Sequence, residues 1–162
     1  MRKIKMIIIL LNLVALLAFV NYSAIQKEKI IDNGKMIFLE LIENNPKAPL
    51  IQGDMVNLKY KIVKGLILDT VYKRGFVVVK LDSNSIAERI RFQQKIIPRN
   101  NNEFLIEYSK GYFTLNIGAE NYYIQQGSAK KYELAKYGGV KVDADGSSLL
   151  MGLYDEHFNK ID

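Results

Sequence analysis

The feature that most constrains this chain is a long apolar run, Met6–Ile25, close to the N-terminus. A helix of that length is about 30 Å long, which matches the hydrocarbon core of a bilayer. Asn12 is the one polar interruption before Asn21, and no Asp or Glu occurs in the first 24 residues. The run therefore predicts a membrane-spanning helix over residues 1–25.

The residues on either side of the run indicate its orientation in the membrane and whether it is cleaved. Arg2, Lys3 and Lys5 precede it, and basic flanks stay in the cytoplasm, so the rest of the chain is expected on the outer side of the cell membrane. An uncleaved signal anchor and a cleavable signal peptide both fit this pattern. Cleavage after Ala24 would place Tyr22 where a small residue is needed, so the pattern favours the anchor.

The bulk composition limits the remaining possibilities. The chain has 162 residues, of which 49% are hydrophobic and 25% charged, as in one globular domain with an appendage. The three basic residues near the start supply half of the net charge of +6, so the rest gives no indication of a nucleic-acid partner. No Cys is present and His157 is the single His, which excludes disulfides and a multi-His metal site within one chain. We expect no cofactor.

Beyond a short charged linker, residues 26–34, the chain is rich in strand signals. The clearest is the stretch Met55–Val63, in which apolar and polar residues alternate. Such alternation predicts a strand with one packed and one solvated face, as in antiparallel sheets. The inward face comprises Val56, Leu58, Tyr60 and Ile62.

Turn signals join several of the remaining strands. Asp82–Ser85 and the dipeptide Asp145-Gly146 each predict a hairpin, and a run of "YFTLNI" predicts a strand from Tyr112. One short helix is expected from an N-cap at Ser128 to a stop at Gly138. With seven or eight strands, residues 35–162 are predicted to form one mainly β, antiparallel domain, either a sandwich or a partly closed barrel.

Two groups of residues are candidates for a site. Asp143-Ala144-Asp145-Gly146 resembles the start of a calcium loop, but the acids that would complete the loop are missing, so a hairpin turn is favoured. Six tyrosines fall within thirty residues and could form a ligand or partner surface, although Tyr is also a common strand residue. They are Tyr108, Tyr112, Tyr122, Tyr123, Tyr132 and Tyr137.

The stretch "GDMVNLKY" resembles the signature of a bacterial family, the GDYXXLXY proteins. Gly53, Asp54, Leu58 and Tyr60 match it, whereas Met55 stands where the signature has Tyr. Two later segments are also similar to the family. They are "YYIQQG", with Tyr122, Tyr123 and Gly127 and with Gln126 in place of Glu, and the closing "YELAKYGGVKVDADGSSLLMGL", with Glu133, Asp143 and Gly146.

The resemblance implies a small protein with one N-terminal membrane segment, no established activity, and a gene beside those of polytopic membrane proteins. The leading hypothesis is therefore an anchored, extracytoplasmic domain that serves as a binding or accessory subunit of a polytopic membrane protein. Two alternatives stay open. One is a cell-envelope enzyme that uses Asp54 with Asp143 or Glu133, and the other is a small-ligand or glycan module that uses the tyrosine-rich segment.

Overall fold

The computed structural model describes residues 2–42, 51–52, 55–125 and 128–161. It begins with a single α-helix, α1 (Arg2–Asn33), which includes most of the segment expected to be a linker. Within the described residues, the part of α1 over Ile4–Asn33 is the one helix long and apolar enough to cross a membrane. An 18-residue window in it has a mean hydropathy of 2.4, and no part of that window is buried. The helix is therefore compatible with membrane anchoring.

The rest of the described chain is mainly β, as predicted. The strands are β1 (Lys35–Glu40), β2 (Ile51–Gln52), β3 (Met55–Asn57), β4 (Arg74–Leu81), β5 (Ala87–Gln93), β6 (Glu103–Lys110), β7 (Leu115–Asn116), β8 (Asn121–Tyr123), β9 (Tyr137–Val142) and β10 (Ser148–Tyr154). They form three sheets with the orders β1-β9-β10, β2-β3-β8 and β5-β4-β6-β7. All pairings between these strands are antiparallel.

One hydrophobic core is shared by the three sheets. Ile37 and Val140 enter it from the first sheet, Val56 from the second, and Val77 and Ile106 from the third. The sheets are not closed into a barrel, so the partly closed barrel is the alternative that the structure does not support. The hairpins β4–β5 and β9–β10 are confirmed at the predicted turns.

The predicted strand Met55–Val63 is correct in its burial and wrong in its backbone. Val56, Leu58, Tyr60 and Ile62 are all buried, as the alternation requires. However, β3 ends at Asn57, and Lys61–Val63 form a 3₁₀ turn. The Arg89 guanidinium donates to the carbonyls of Ile62 (2.8 Å) and Lys64 (3.1 Å). These backbone carbonyls, which do not pair with a strand, therefore have a hydrogen-bond donor that is distant in sequence.

Three further local predictions need correction. The expected α-helix is a 3₁₀ helix, Ala129–Leu134; the Ser128 side chain makes no cap and bonds back to the Gln125 carbonyl, and Gly138 lies within β9. Tyr112 belongs to a turn, because β7 begins only at Leu115. The pairing of β5 with β4 shifts register between Val78 and Val79 of β4, so Ile90 of β5 has no partner in the register. Ile90 is exposed, whereas the alternation predicts that it shares the packed face of Phe92.

Candidate functional site

Tyr60 is a buried structural residue with two specific contacts. Its side chain is 1% exposed, and its hydroxyl donates to the Ala119 carbonyl at 2.6 Å. Its ring lies directly on Gly138, where an added Cβ would stand 2.8 Å from the Tyr60 Cε1 and Oη atoms. Burial raises the pKa of Tyr60, and the carboxylate of Glu120 raises it further, so the hydroxyl keeps the proton it donates.

The segments around Tyr60 converge from distant parts of the sequence. β3 pairs with β8, which places Val56 opposite Tyr122 and Met55 opposite Tyr123. The backbone amide of Leu58 continues this contact by donating to the Glu120 carbonyl at 2.6 Å. Since Tyr60 also packs on β9, the segment 55–60 joins both the tyrosine-rich strand and the closing segment of the chain.

Glu120 holds the turn that receives the Tyr60 hydroxyl. Its carboxylate accepts hydrogen bonds from the backbone amides of Ile117 and of Gly118, the latter at 3.0 Å. These bonds fix the backbone on either side of Ala119, whose carbonyl is the acceptor for Tyr60. The arrangement is a structural support, and its carboxylate is already occupied by backbone donors.

The family model of the GDYXXLXY proteins matches residues 16–153, which is most of the chain. The chain belongs to this family. No curated protein and no solved structure matches it. Of the GDYXXLXY signature residues, Leu58 and Tyr60 are buried, whereas Gly53 and Asp54 lie outside the described residues.

A cleft of about 590 Å³ opens beside the GDYXXLXY signature. The signature segment supplies one wall, from Asn57 to Tyr60, and the following residues 63–66 extend it. The opposite wall comes from the turn between β6 and β7 and from β7 itself, including Phe113 and Leu115. Pockets of this size are large enough to hold a small ligand or a short peptide segment.

An exposed aromatic residue, Phe113, lines the cleft, and a second one, Tyr112, precedes it in the sequence. Phe113 is 95% exposed and its neighbour Tyr112 is 96% exposed. The turn that presents them is closed by a hydrogen bond from the Gly111 amide to the Thr114 carbonyl at 2.8 Å. Exposed aromatic side chains on an ordered turn are typical of protein-binding surfaces, because they bury a large area at a small entropic cost.

The rest of the lining combines apolar, amide and basic groups with one carboxylate, that of Glu120, which already accepts hydrogen bonds from two backbone amides. Apolar side chains include Ile42 and Leu66, and the amides include Asn57 and Asn121, which face each other across β3 and β8. Lys59 and Lys64 add two positive charges, and the bonds from Arg89 hold this wall in place. Amides beside apolar surface suit a peptide backbone, and lysines suit acidic side chains.

The candidate acidic residues do not come together as a described site. Asp143 accepts hydrogen bonds from the backbone amides of Asp145 (3.0 Å) and Ser147 (2.8 Å), so its carboxylate shapes the β9–β10 turn. Gly146 in that turn has a φ of +95°, and its carbonyl accepts from the Glu107 amide. Glu133 is exposed on the 3₁₀ helix. Among the described residues, no three acidic or His side chains are grouped to hold a metal.

The six tyrosines are distributed over buried and exposed positions. Tyr108 and Tyr137 are buried, and Tyr137 stacks on Phe158 with ring centres 5.0 Å apart. Tyr122 and Tyr132 are partly buried and form an edge-to-face pair at 5.6 Å. Tyr123, like Tyr112, presents most of its ring to solvent. Gly127, which follows this segment in the family resemblance, lies outside the described residues.

Sequence reasoning did not single out Phe113 or the paired Arg91 and Glu103. The signal for Phe113 was two adjacent aromatics after Ser-Lys-Gly, since an alternating strand would have to expose one of them. The pair left no local signal, because its members are twelve residues apart and meet only when β5 and β6 flank β4.

Proposed function

We propose that this GDYXXLXY protein is a membrane-anchored accessory subunit whose β-domain binds a segment of a polytopic membrane protein on the outer side of the membrane. The observation that supports this most is the cleft beside the signature with the exposed Phe113 at its rim. The family resemblance supplies the kind of partner. The apolar helix supports it as well, because it would hold the cleft among membrane proteins.

The uncleaved state of the helix is part of the proposal. Helix α1 continues through residues 22–24, where cleavage would occur, to Asn33. Its last turn is joined to the domain, since Ile30 is buried and the Lys141 ammonium donates to the Ile31 carbonyl. A helix integrated with the domain in this way favours an anchor over a removable signal peptide.

The lining of the cleft suggests the chemistry of the partner segment. Lys59 and Lys64 favour a segment with acidic side chains, and the amides of Asn57 and Asn121 favour an extended backbone. Phe113 would cover an apolar side chain of that segment. A loop of a polytopic protein with mixed apolar and acidic residues has these properties.

Purification of the intact chain from native membranes tests the binding role. We expect Phe113→Ala to reduce recovery of a polytopic membrane protein by about 10-fold or more, the usual effect of removing an aromatic side chain that becomes buried on binding. Leu134→Ala is a matched control, because Leu134 is also an exposed apolar residue but does not line the cleft. Equal recovery with both variants, or recovery of the bait alone, would contradict the proposal.

A further inference from the structure

Residues 94–102, here called the strap, cross the outer face of the four-stranded sheet. β5 and β6 lie on opposite sides of β4 and each is antiparallel to it, so their connection must pass over β4. Val77 and Val79 face the main core, so Val78 between them faces the side of the strap. Val78 is nevertheless fully buried, which indicates that the strap covers it.

An ion pair between a buried carboxylate and a partly exposed guanidinium fixes the strap to the sheet. The Arg91 guanidinium donates to both carboxylate oxygens of Glu103, each at 2.8 Å. The backbone amide and the side-chain amide of Asn100 donate to the same carboxylate at 3.1 and 2.9 Å. Glu103 is only 5% exposed, and these donors, Arg91 first, lower its pKa to about 2. The carboxylate is thus held charged beneath the strap.

The strap turns its backbone inward and its apolar side chains outward. The Gln93 side chain donates to the carbonyls of Lys95 (2.7 Å) and Ile96 (3.2 Å), and Arg91 donates to the Pro98 carbonyl (3.1 Å). Because these carbonyls of the strap point toward the sheet, the Ile97 side chain points away from it and is 77% exposed. A hydrogen-bonded loop that exposes adjacent isoleucines between basic residues is typical of a surface that meets another apolar phase.

The strap lies beside the point where helix α1 joins the domain. Arg99 donates to the Ala144 carbonyl at 3.0 Å, in the turn that follows β9. The last residue of β9, Val142, pairs with Lys35, the first residue of β1, which Gly34 connects to the helix. The strap, the turn and the end of the helix therefore occupy one region of the domain.

This region is close to the bilayer if α1 spans it. Residues 26–33 continue the helix beyond the apolar run by about 12 Å, and the headgroup layer on each side of the hydrocarbon core is about 5–7 Å thick. The contacts of Ile30 and Lys141 hold the domain on this last part of the helix. Side chains that project from the region can therefore reach the headgroups.

We propose that the strap is a second membrane contact, separate from the helix and from the partner cleft. Ile96 and Ile97 insert among the lipid headgroups on the side of the domain, and Lys95 and Arg99 lie against the lipid phosphates. The apolar side chains gain from leaving water, and the basic side chains favour an anionic surface. The strap thereby sets the orientation of the domain on the bilayer.

Because the chain has no native Cys, single fluorescent labels can test the insertion. The full chain carrying Ile97→Cys is reconstituted, without any other protein, in phosphatidylcholine vesicles with and without phosphatidylglycerol. Nitroxide-labelled lipids then quench labels near the headgroups. The matched control is Tyr112→Cys, an exposed residue on the β6–β7 turn.

We expect loss of emission from the label at position 97 and retained emission from the label at position 112. Equal quenching at both positions, or none at position 97, would overturn the proposal. Adding Lys95→Glu to the Ile97→Cys chain tests the contribution of charge. It should reduce quenching only in vesicles that contain phosphatidylglycerol, and unchanged quenching there would refute the phosphate contact.

Discussion

At the scale of single residues, the signature of this family is explained by packing as far as it is described. Leu58 and Tyr60 face the core, and the Tyr60 hydroxyl completes a hydrogen bond that no apolar ring could make. The departure at Met55 fits this account, because Met55 is a strand residue paired with Tyr123. The hydroxyl of a Tyr at position 55 is not needed for that pairing.

Two buried tyrosines should respond differently to loss of the hydroxyl. Tyr60→Phe leaves the Ala119 carbonyl without its donor and should reduce the free energy of unfolding by about 1–3 kcal/mol. Tyr108 is also 1% exposed, but the described residues offer its hydroxyl only a poorly aligned contact with the Tyr72 backbone, so Tyr108→Phe should change stability by less than about 0.5 kcal/mol.

Chemical denaturation of the full chain in detergent, followed by circular dichroism of the β-domain, measures both values. Equal losses for Tyr60→Phe and Tyr108→Phe would contradict the role assigned to the Tyr60 hydroxyl.

The pair of Arg91 and Glu103 predicts a pH dependence of stability. The pKa of Glu103 is lowered from 4.5 to about 2 by Arg91 and Asn100, so the pair stabilises the fold above pH 4.5. As the pH falls from 4.5 through 2, Glu103 becomes protonated in both states and this contribution is lost. Glu103→Gln should therefore destabilise the protein at pH 7 and have much less effect near pH 2.

Urea denaturation of the unmodified chain and of Glu103→Gln between pH 7 and pH 2 checks the prediction. Glu107→Gln is the control, because Glu107 lies on the same strand with an exposed side chain. A loss of stability for Glu103→Gln that stays constant from pH 7 to pH 2 would show that the ion pair is not its cause.

At the scale of elements, strand β9 approaches the signature so closely that only glycine fits. A Cβ on Gly138 would clash with the buried Tyr60 ring, which cannot move without disturbing the core. Gly138→Ala should therefore cost about 1–3 kcal/mol, the usual penalty of overpacking. At Gly152 on β10 the atoms nearest to an added Cβ are the Cε, Cδ and Cγ methylenes of the long Lys160 side chain, which can shift, so Gly152→Ala should be near neutral.

Thermal unfolding of the two alanine variants provides this comparison. If Gly138→Ala were as stable as Gly152→Ala, the contact between β9 and Tyr60 would not have the importance assigned to it.

The elements also show which parts of the fold can be predicted from sequence. The β4–β5 and β9–β10 hairpins follow from local turn residues, Asp82 and Gly146, and the sequence locates both. The 3₁₀ turn at Lys61–Val63 depends on Arg89, and the aromatic turn at Phe113 depends on how β6 and β7 pair. Arg89 is 27 residues from Ile62, so alternation alone predicted a strand at Lys61–Val63. At Phe113 the cause is local: Lys110 pairs directly with Leu115, so the turn lies at residues 111–114, where alternation alone predicted a strand.

The candidate site was harder to predict for the same reason. The signature wall of the cleft, Asn57–Tyr60, could be identified by family resemblance, whereas the wall with Phe113 is about fifty residues away in sequence. A cleft exists only when these walls meet. Sequence reasoning therefore proposed the signature segment as a possible interface and the tyrosines as a separate ligand or partner surface, and it did not include Phe113.

At the scale of the whole molecule, the account predicts a fixed topology. Arg2, Lys3 and Lys5 should keep the N-terminus in the cytoplasm, and we therefore expect the β-domain on the outer side. A reporter fused after Asp162 that is active only in the cytoplasm should be inactive, and one that is active only outside should be active. The reverse result would overturn the proposed side of the membrane while leaving the fold unaffected.

The central claim is that the cleft beside the signature binds a polytopic membrane protein, and site-specific photo-crosslinking in intact native membranes tests it most directly. The full chain carries a photoreactive amino acid at Phe113 or, as a control, at Leu134, and crosslinked species are identified by mass spectrometry. We predict a crosslink from position 113 to a multi-spanning membrane protein and none from position 134. Absence of such a crosslink at 113, or the same product from both positions, would contradict the claim.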